Sequence, residues 1–294
     1  MPTGGEKFEQ LPAEANAEKK PEDLILSNEQ YKETPFAVEG KERFYLFEIK
    51  SQGKKIMYFG SPHTNDPSDP VFEEIQKRFD EMKPEIVYVE GWSSVNKNKQ
   101  KVREVIGAQD VEDAKMEGEP HFVIKLAVDA GADFESPEPD FSAEIAHLLG
   151  KGFSKKEIFQ FNMYRVIDQY QRQYEDGDIE GCKKYLEAYF HDFRRHSGWE
   201  QAELDSLEND VIAELDIDDK QKYNSQVDPI PWDGVPQTVI NEVSRSSSDF
   251  RDRHIFSRIA EGLKTYNKIF VVYGSAHAVK QEPALRALLE KSNI

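Results

Sequence analysis

The sequence predicts an α/β fold: a mixed, largely parallel central sheet flanked by helices, with an inserted helical subdomain. Three observations carry this. Short β-branched and aromatic runs alternate with helical segments over 43–136 and again over 249–291, as strands joined by crossover helices do. Two of those runs, Glu85–Glu90 and Lys268–Gly274, are apolar almost throughout, as strands covered on both faces are. Between the two blocks the chain reads as helix without a strand signal.

Residues 1–34 are rich in Glu, Lys, Pro and Ala. They are expected to form a disordered acidic leader, because they have little apolar surface to bury. A short segment near Leu24–Leu26 could dock on the domain or a partner, and removing 1–30 should change stability little. Residues 35–294 are expected to form the folded domain, with the helical insert at about 142–236. Arg43–Lys50 and Lys55–Gly60 flank the turn Ser51–Gly53, a hairpin. Asp69–Met82 places Val71, Phe72, Ile75 and Phe79 on one helical face, and Pro84 ends it. Glu85–Glu90 is a buried strand, Phe122–Ala130 a helix stopped by Gly131, and Ala132–Ser136 a short strand. Helices follow at Ser142–Leu149, Ser154–Tyr174, Asp178–Arg195 and Glu200–Leu215. Asp218–Pro236, with Trp232 inside it, is polar and proline-rich and is expected to be a loop. Asp249–Tyr266 is helix, Lys268–Gly274 strand, and Pro283–Lys291 a closing helix with Pro283 in its first turn.

The chain has 294 residues and a net charge of -18. That balance argues against nucleic acid, which needs a basic stripe, and against anionic lipid. No apolar run is long enough to span a bilayer, and no signal peptide is visible. Cys182 is the single cysteine, so an internal disulfide and a cysteine-based zinc site are ruled out. A cytoplasmic protein is expected.

Two strands end alike. Ile56–Gly60 runs into Ser61-Pro62-His63, and Ile269–Gly274 into Ser275-Ala276-His277. Glycine lets the chain turn sharply or approach a ligand, and each histidine then lies past the carboxyl end of a strand, where open α/β sheets bind ligands. Two such imidazoles could share one metal ion or divide acid and base roles. With 17 glycines and 7 histidines, about 0.4 Gly-x-x-His matches are expected by chance. The third match, Gly118–His121, follows no strand and opens a helix. Glu90 ends a buried strand and needs a partner for its charge. Glu138, between Pro137 and Pro139, is held extended and can point into the same crevice. Arg251, Asp252 and Arg253 are expected to open their helix, Arg251 as a fixed cation tied by Glu90 or Glu138 and Asp252 in the first turn. Asp176–Glu187 follows a calcium-loop template in part. Glu180 at position five and Lys183 at position eight depart from it, so a plain helix–turn–helix outweighs calcium there.

These residues resemble the TraB/TIKI superfamily, which also takes in erythromycin-esterase-like and haem-binding ChaN-like proteins. The matches are Gly60-Ser-Pro-His63, Glu90, Arg251-Asp252 and Gly274-Ser-Ala-His277, over about 43–138 and 249–291. Phe250 stands where a glutamate often precedes the arginine, and the membrane or secretory elements of several members are missing. The resemblance implies a mixed α/β fold and divalent-metal-dependent hydrolysis. On this reading His63, Glu90 and His277 hold Mn²⁺, Co²⁺ or Zn²⁺, or act directly as acid and base, on a small peptide or ester-like substrate. Glu138 or Glu90 takes the proton of water, and Arg251 stabilises the oxyanion. Ser61 and Ser275 are turn residues. The alternative is a non-catalytic module of the same fold that binds a peptide or haem.

Overall fold

A computed structural model describes residues 20–40, 43–91, 96–173, 179–213, 220–231 and 234–291. Residues 176–178 of the calcium-like stretch, and Trp232, lie outside them. Five strands form one sheet: β1 (Tyr45–Ser51), β2 (Lys54–Ser61), β3 (Ile86–Val89), β4 (Asp133–Glu135) and β5 (Lys268–Gly274). Their order is β1-β2-β5-β3-β4. Only β1 runs antiparallel, pairing Tyr45 with Gly60 and Ser51 with Lys54 across the hairpin. The other pairs are parallel, so the α/β class, with a mostly parallel mixed sheet, is what the chain adopts.

Alternation along the strands builds two cores. Met57, Phe59, Val87, Val89, Phe270 and Val272 face one side. There they meet α3 (Pro70–Met82), α4 (Lys99–Ala108) and α6 (Glu119–Ala130), with the short α5 (Val111–Met116) packed on α6. Ile56, Tyr58, Ile86, Tyr88, Ile269 and Val271 face the other side, against α12 (Val239–Gly262) and α13 (Ser275–Lys291). The result is a three-layer sandwich.

Between β4 and β5 lie α7 (Phe141–Gly150), α8 (Lys155–Gln173), α9 (Ile179–His196), α10 (Gln201–Ala213) and α11 (Lys220–Val227). They bury a third core of their own, centred on Ile158, Phe159, Ile167, Phe190 and Phe193. Ile240 and Val243 of α12 complete it and tie the insert to the sheet domain. Among the described residues no helix is long and apolar enough to cross a membrane.

Four expectations change. Within 218–236, α11 replaces an expected loop, with Tyr223 buried edge-on against Tyr164. Its polar length hid it, because one buried aromatic makes no periodic stripe. The helix expected from Asp249 begins ten residues earlier, at Val239, behind a Thr238–Asn241 capping box. Its first turns bury Asn241, Ser244 and Ser247 beside only two apolar side chains, Ile240 and Val243. Asn241 Nδ2 donates to the carbonyls of Ser225, Gln226 and Asp228. Pro283 sits inside α13, not at its start, because that helix begins directly off β5 at Ser275.

The fourth change concerns the leader. Residues 20–34 of the expected disordered segment are structured. A turn of 3-10 helix, Pro21–Leu24, leads into α1 (Asn28–Lys32) and then α2 (Pro35–Glu39). Leu24 and Ile25 pack on the core beside α13, and Leu26 N–H donates to Lys280 O at 2.9 Å. Asn28 is buried, donating to Asp249 Oδ1 and accepting from Lys280 Nζ, each at 3.0 Å. Truncation through residue 30 is therefore expected to destabilise. Asn28→Ala alone should cost about 1–3 kcal/mol, since a buried ammonium loses an acceptor. Urea unfolding of the full chain and this variant measures it, and equal midpoints would leave the segment a passenger.

Candidate functional site

The strand order sets four carboxyl ends side by side. After β2 the chain crosses to α3 on one face of the sheet, and after β5 it enters α13 on the other. Neighbouring parallel strands whose helices depart to opposite faces open a crevice between them. His63 follows β2 and His277 lies in the first turn of α13, so both motif histidines stand at that opening. Glu90 directly follows β3, the other neighbour of β5, and Glu138 lies in the loop after β4.

Glu90 is the centre of the cluster. Its Oε2 accepts Gly274 N–H at 2.6 Å and faces His63 Nε2 at 3.6 Å. Its Oε1 lies 3.4 Å from an Arg251 guanidinium nitrogen and 4.0 Å from His277 Nε2. Arg251 is gripped by Glu138, Nε to Oε2 at 2.9 Å and NH2 to Oε1 at 2.6 Å, a two-point fork. Tyr273 OH donates to the same Glu138 Oε1 at 3.3 Å. His63 has φ +63°, a left-handed conformation uncommon outside glycine, and its side chain is 45 % exposed. All five residues expected at the site, His63, Glu90, Glu138, Arg251 and His277, are thus brought together.

His277 Nδ1 lies 2.7 Å from Asp252 Oδ1. Asp252 also accepts from Gln281 Nε2 at 2.9 Å and pairs with Lys280 Nζ at 2.5 Å. It is fully buried, and Lys280 nearly so. Asp252 was expected in a first turn supported by the helix dipole, but it lies in the middle of α12 and acts on His277. Its signal was present: Asp252 falls three, four and seven residues before Ile255, Phe256 and Ile259, on the buried stripe of its helix. Lys280 sits likewise among the buried residues of α13. Glu119 was missed as well. Buried at the start of α6, it accepts Thr64 N–H at 2.8 Å and so anchors the loop just past His63. Burial raises its carboxyl above the ordinary range.

Other candidates lie outside the cluster. Glu135 pairs with Arg258. Ser275 Oγ donates to Gly60 O at 2.9 Å, a turn contact. Phe250 stacks on His147.

Burial by itself would raise Glu90, but the charges of His63, His277 and Arg251 and the Gly274 N–H outweigh it and hold its carboxyl at about 2. Glu138 and Asp252 are lowered against burial in the same way, by Arg251 and by His277 with Lys280 respectively. A depressed carboxyl stabilises the fold above its unfolded value and loses that contribution as pH falls through the folded one. For Glu90 the window runs from the ordinary 4.5 down to about 2, and the loss is on the order of 3 kcal/mol. Urea midpoints should therefore fall steeply across that window, and Glu90→Gln should flatten the slope. Parallel slopes for the two proteins would show that Glu90 contributes nothing to acid lability.

Two imidazole nitrogens and a carboxylate are the donor chemistry of a divalent transition ion. The carboxylate on the far nitrogen of His277 is the partner that orients metal-bound imidazoles. Among the described residues, no three His, Cys, Asp or Glu already stand as a closed metal set. No protein-family model, no curated protein and no solved structure matches this chain.

Proposed function

We propose that the chain is a metal-assisted hydrolase of a peptide or ester-like bond, a cytoplasmic enzyme of the TraB/TIKI type. The observation that carries this reading is the position of Glu90 between the Nε2 atoms of His63 and His277, 3.6 and 4.0 Å away, at the mouth of the sheet. His63, Glu90 and His277 are the residues that would hold Mn²⁺, Co²⁺ or Zn²⁺. Such an ion lowers the pKa of a bound water and polarises a carbonyl.

The remaining roles follow from the hydrogen bonds. Asp252 fixes His277 with Nδ1 protonated, so that Nε2 turns its lone pair toward the crevice. Both oxygens of Glu138 are engaged by Arg251. Glu138 is therefore a positioning residue, and Glu90, also tied at both oxygens by Gly274 N–H and Arg251, serves as the carboxylate ligand between the histidines. Arg251, held rigid by that fork, is a preorganised cation for a developing oxyanion.

The test is metal analysis and hydrolysis of p-nitrophenyl acetate and a dipeptide p-nitroanilide, using protein purified without chelator. His63→Ala and His277→Ala should each remove most of the metal and at least about a hundredfold of the activity, and the double variant should be little worse than either single. Metal should be lost as pH falls, because ligation needs neutral imidazole. Small, additive effects with metal retained would defeat the reading and leave a non-catalytic ligand-binding module.

A further inference from the structure

Behind His277 lies a cavity of about 320 Å³, walled by α1, α8, α12, the start of α13 and the segment 227–230. His277 and Arg251 line it, so it opens onto the proposed reaction centre. Its volume is at the lower end of the range for small-molecule sites. A group of a few residues fits it, and a folded polypeptide does not.

The charge of its wall is unusual for a chain with a net charge of -18. Four cations line it, Lys32, Arg165, Arg251 and Lys280, against two acids, Asp168 and Asp228. Arg251 is neutralised by Glu138 and Lys280 by Asp252. Asp168 accepts from Asn224 Nδ2, and Asp228 from Ile230 N–H. Lys32 reaches only the backbone carbonyls of Ile230 and Pro231. Among the described residues no hydrogen bond or ion pair engages the Arg165 guanidinium, whose charge acts on the buried Tyr189 phenol. A half-buried guanidinium with five donors and no acceptor is costly to keep. It is suited to a carboxylate, which it can bind at two points.

We propose that this cavity is a substrate subsite selecting a carboxylate-bearing group, with Arg165 as the anion anchor and Lys32 adding charge from the N-terminal segment. The word substrate rests on the hydrolase reading, whereas the carboxylate site does not. The bond to be cleaved then lies on the His277 side of the cavity, and the acid group lies toward α8. Small acidic peptides or half-esters of dicarboxylic acids are the class of substrate this arrangement takes.

Calorimetric titration of the full chain with succinate, its neutral counterpart succinamide and inorganic phosphate tests the site without turnover. Succinate should bind at one site per chain, at least tenfold tighter than succinamide and than phosphate. Arg165→Gln should weaken it tenfold or more, Arg165→Lys less, and Lys32→Gln a few-fold. Circular dichroism melts identify any variant that fails to fold. His63→Ala, which lies outside the cavity wall, should keep succinate binding while losing hydrolysis of mono-p-nitrophenyl succinate. Equal binding of succinate and succinamide, tighter binding of phosphate, or wild-type binding by Arg165→Gln would each overturn the proposal. Arg165-dependent binding of succinate without any hydrolysis would uphold the site and remove the hydrolase.

Discussion

Replacing Asp252 with alanine is expected to cost about 3 kcal/mol, because it leaves a buried cation without its close, buried counter-charge. Lys280 is 2 % exposed, and its ammonium pairs with Asp252 at 2.5 Å. Asn28 and Ser248 supply neutral oxygens beside it, and the next carboxylate, Asp249, stands farther off at 3.7 Å and is half exposed. The melting temperature should drop by on the order of 10 °C. A second variant separates the two duties of this carboxylate. Removing both charges, Asp252→Asn with Lys280→Met, should restore most of the stability, since a neutral, filled site lacks the desolvation penalty. Activity should stay at least about tenfold down, because the imidazole of His277 loses the charged acceptor that sets its tautomer. A wild-type melting temperature for Asp252→Ala would mean that the ammonium is held by the rest of its surroundings. Full activity in the paired variant would detach Asp252 from the chemistry.

Asp252 also marks the limit of what the sequence alone discloses. The strands were legible because each is a short apolar run, and parallel pairing put their carboxyl ends in one place. His63, His277 and Glu90 could therefore be named from position along the strand. Arg251 could be named as a cation tied to Glu90 or Glu138, and its fork to Glu138 bears that out, although α12 was expected to begin beside it. That helix starts instead at Val239, where buried Asn241, Ser244 and Ser247 outnumber the buried apolar residues Ile240 and Val243, and so polar a stripe gives little hydrophobic period to read. Docking at Leu24–Leu26 was legible, but that of the rest of 21–39 was hidden for a related reason. Its anchor is one polar side chain, Asn28, meeting another, Lys280, from 252 positions away, and such a contact has no local signature. Arg165 belongs with these: one charged residue on a long helix is ordinary until a cavity is found in front of it.

The two glycines of the paired strand-end motifs look alike in sequence, and alanine should separate them. A methyl group at Gly274 would come 2.6 Å from His63 Nε2 and 3.2 Å from Glu90 Oε2. Both atoms are at the ends of side chains, and His63 is half exposed, so the ring can yield. Stability should fall by only about 1 kcal/mol, the cost of a modest repacking. Function should suffer far more, because the ring of His63 is driven off its place over β5 and away from Glu90. A misplacement of that size is expected to cost on the order of a hundredfold in activity, with metal retention falling in step. At Gly60 the same methyl would meet Ser275 Cα at 2.8 Å, Ala278 Cβ at 2.9 Å and Tyr45 O at 3.1 Å. Two of those atoms belong to the backbone and the third is fixed to it, so α13 and β1 must move. Gly60→Ala should therefore lose about 3 kcal/mol or more through overpacking, and its activity should track the folded fraction. Chemical denaturation and turnover measured on both variants resolve the pair. If Gly274→Ala kept wild-type activity, the approach of His63 to Glu90 across that glycine would have no part in the reaction.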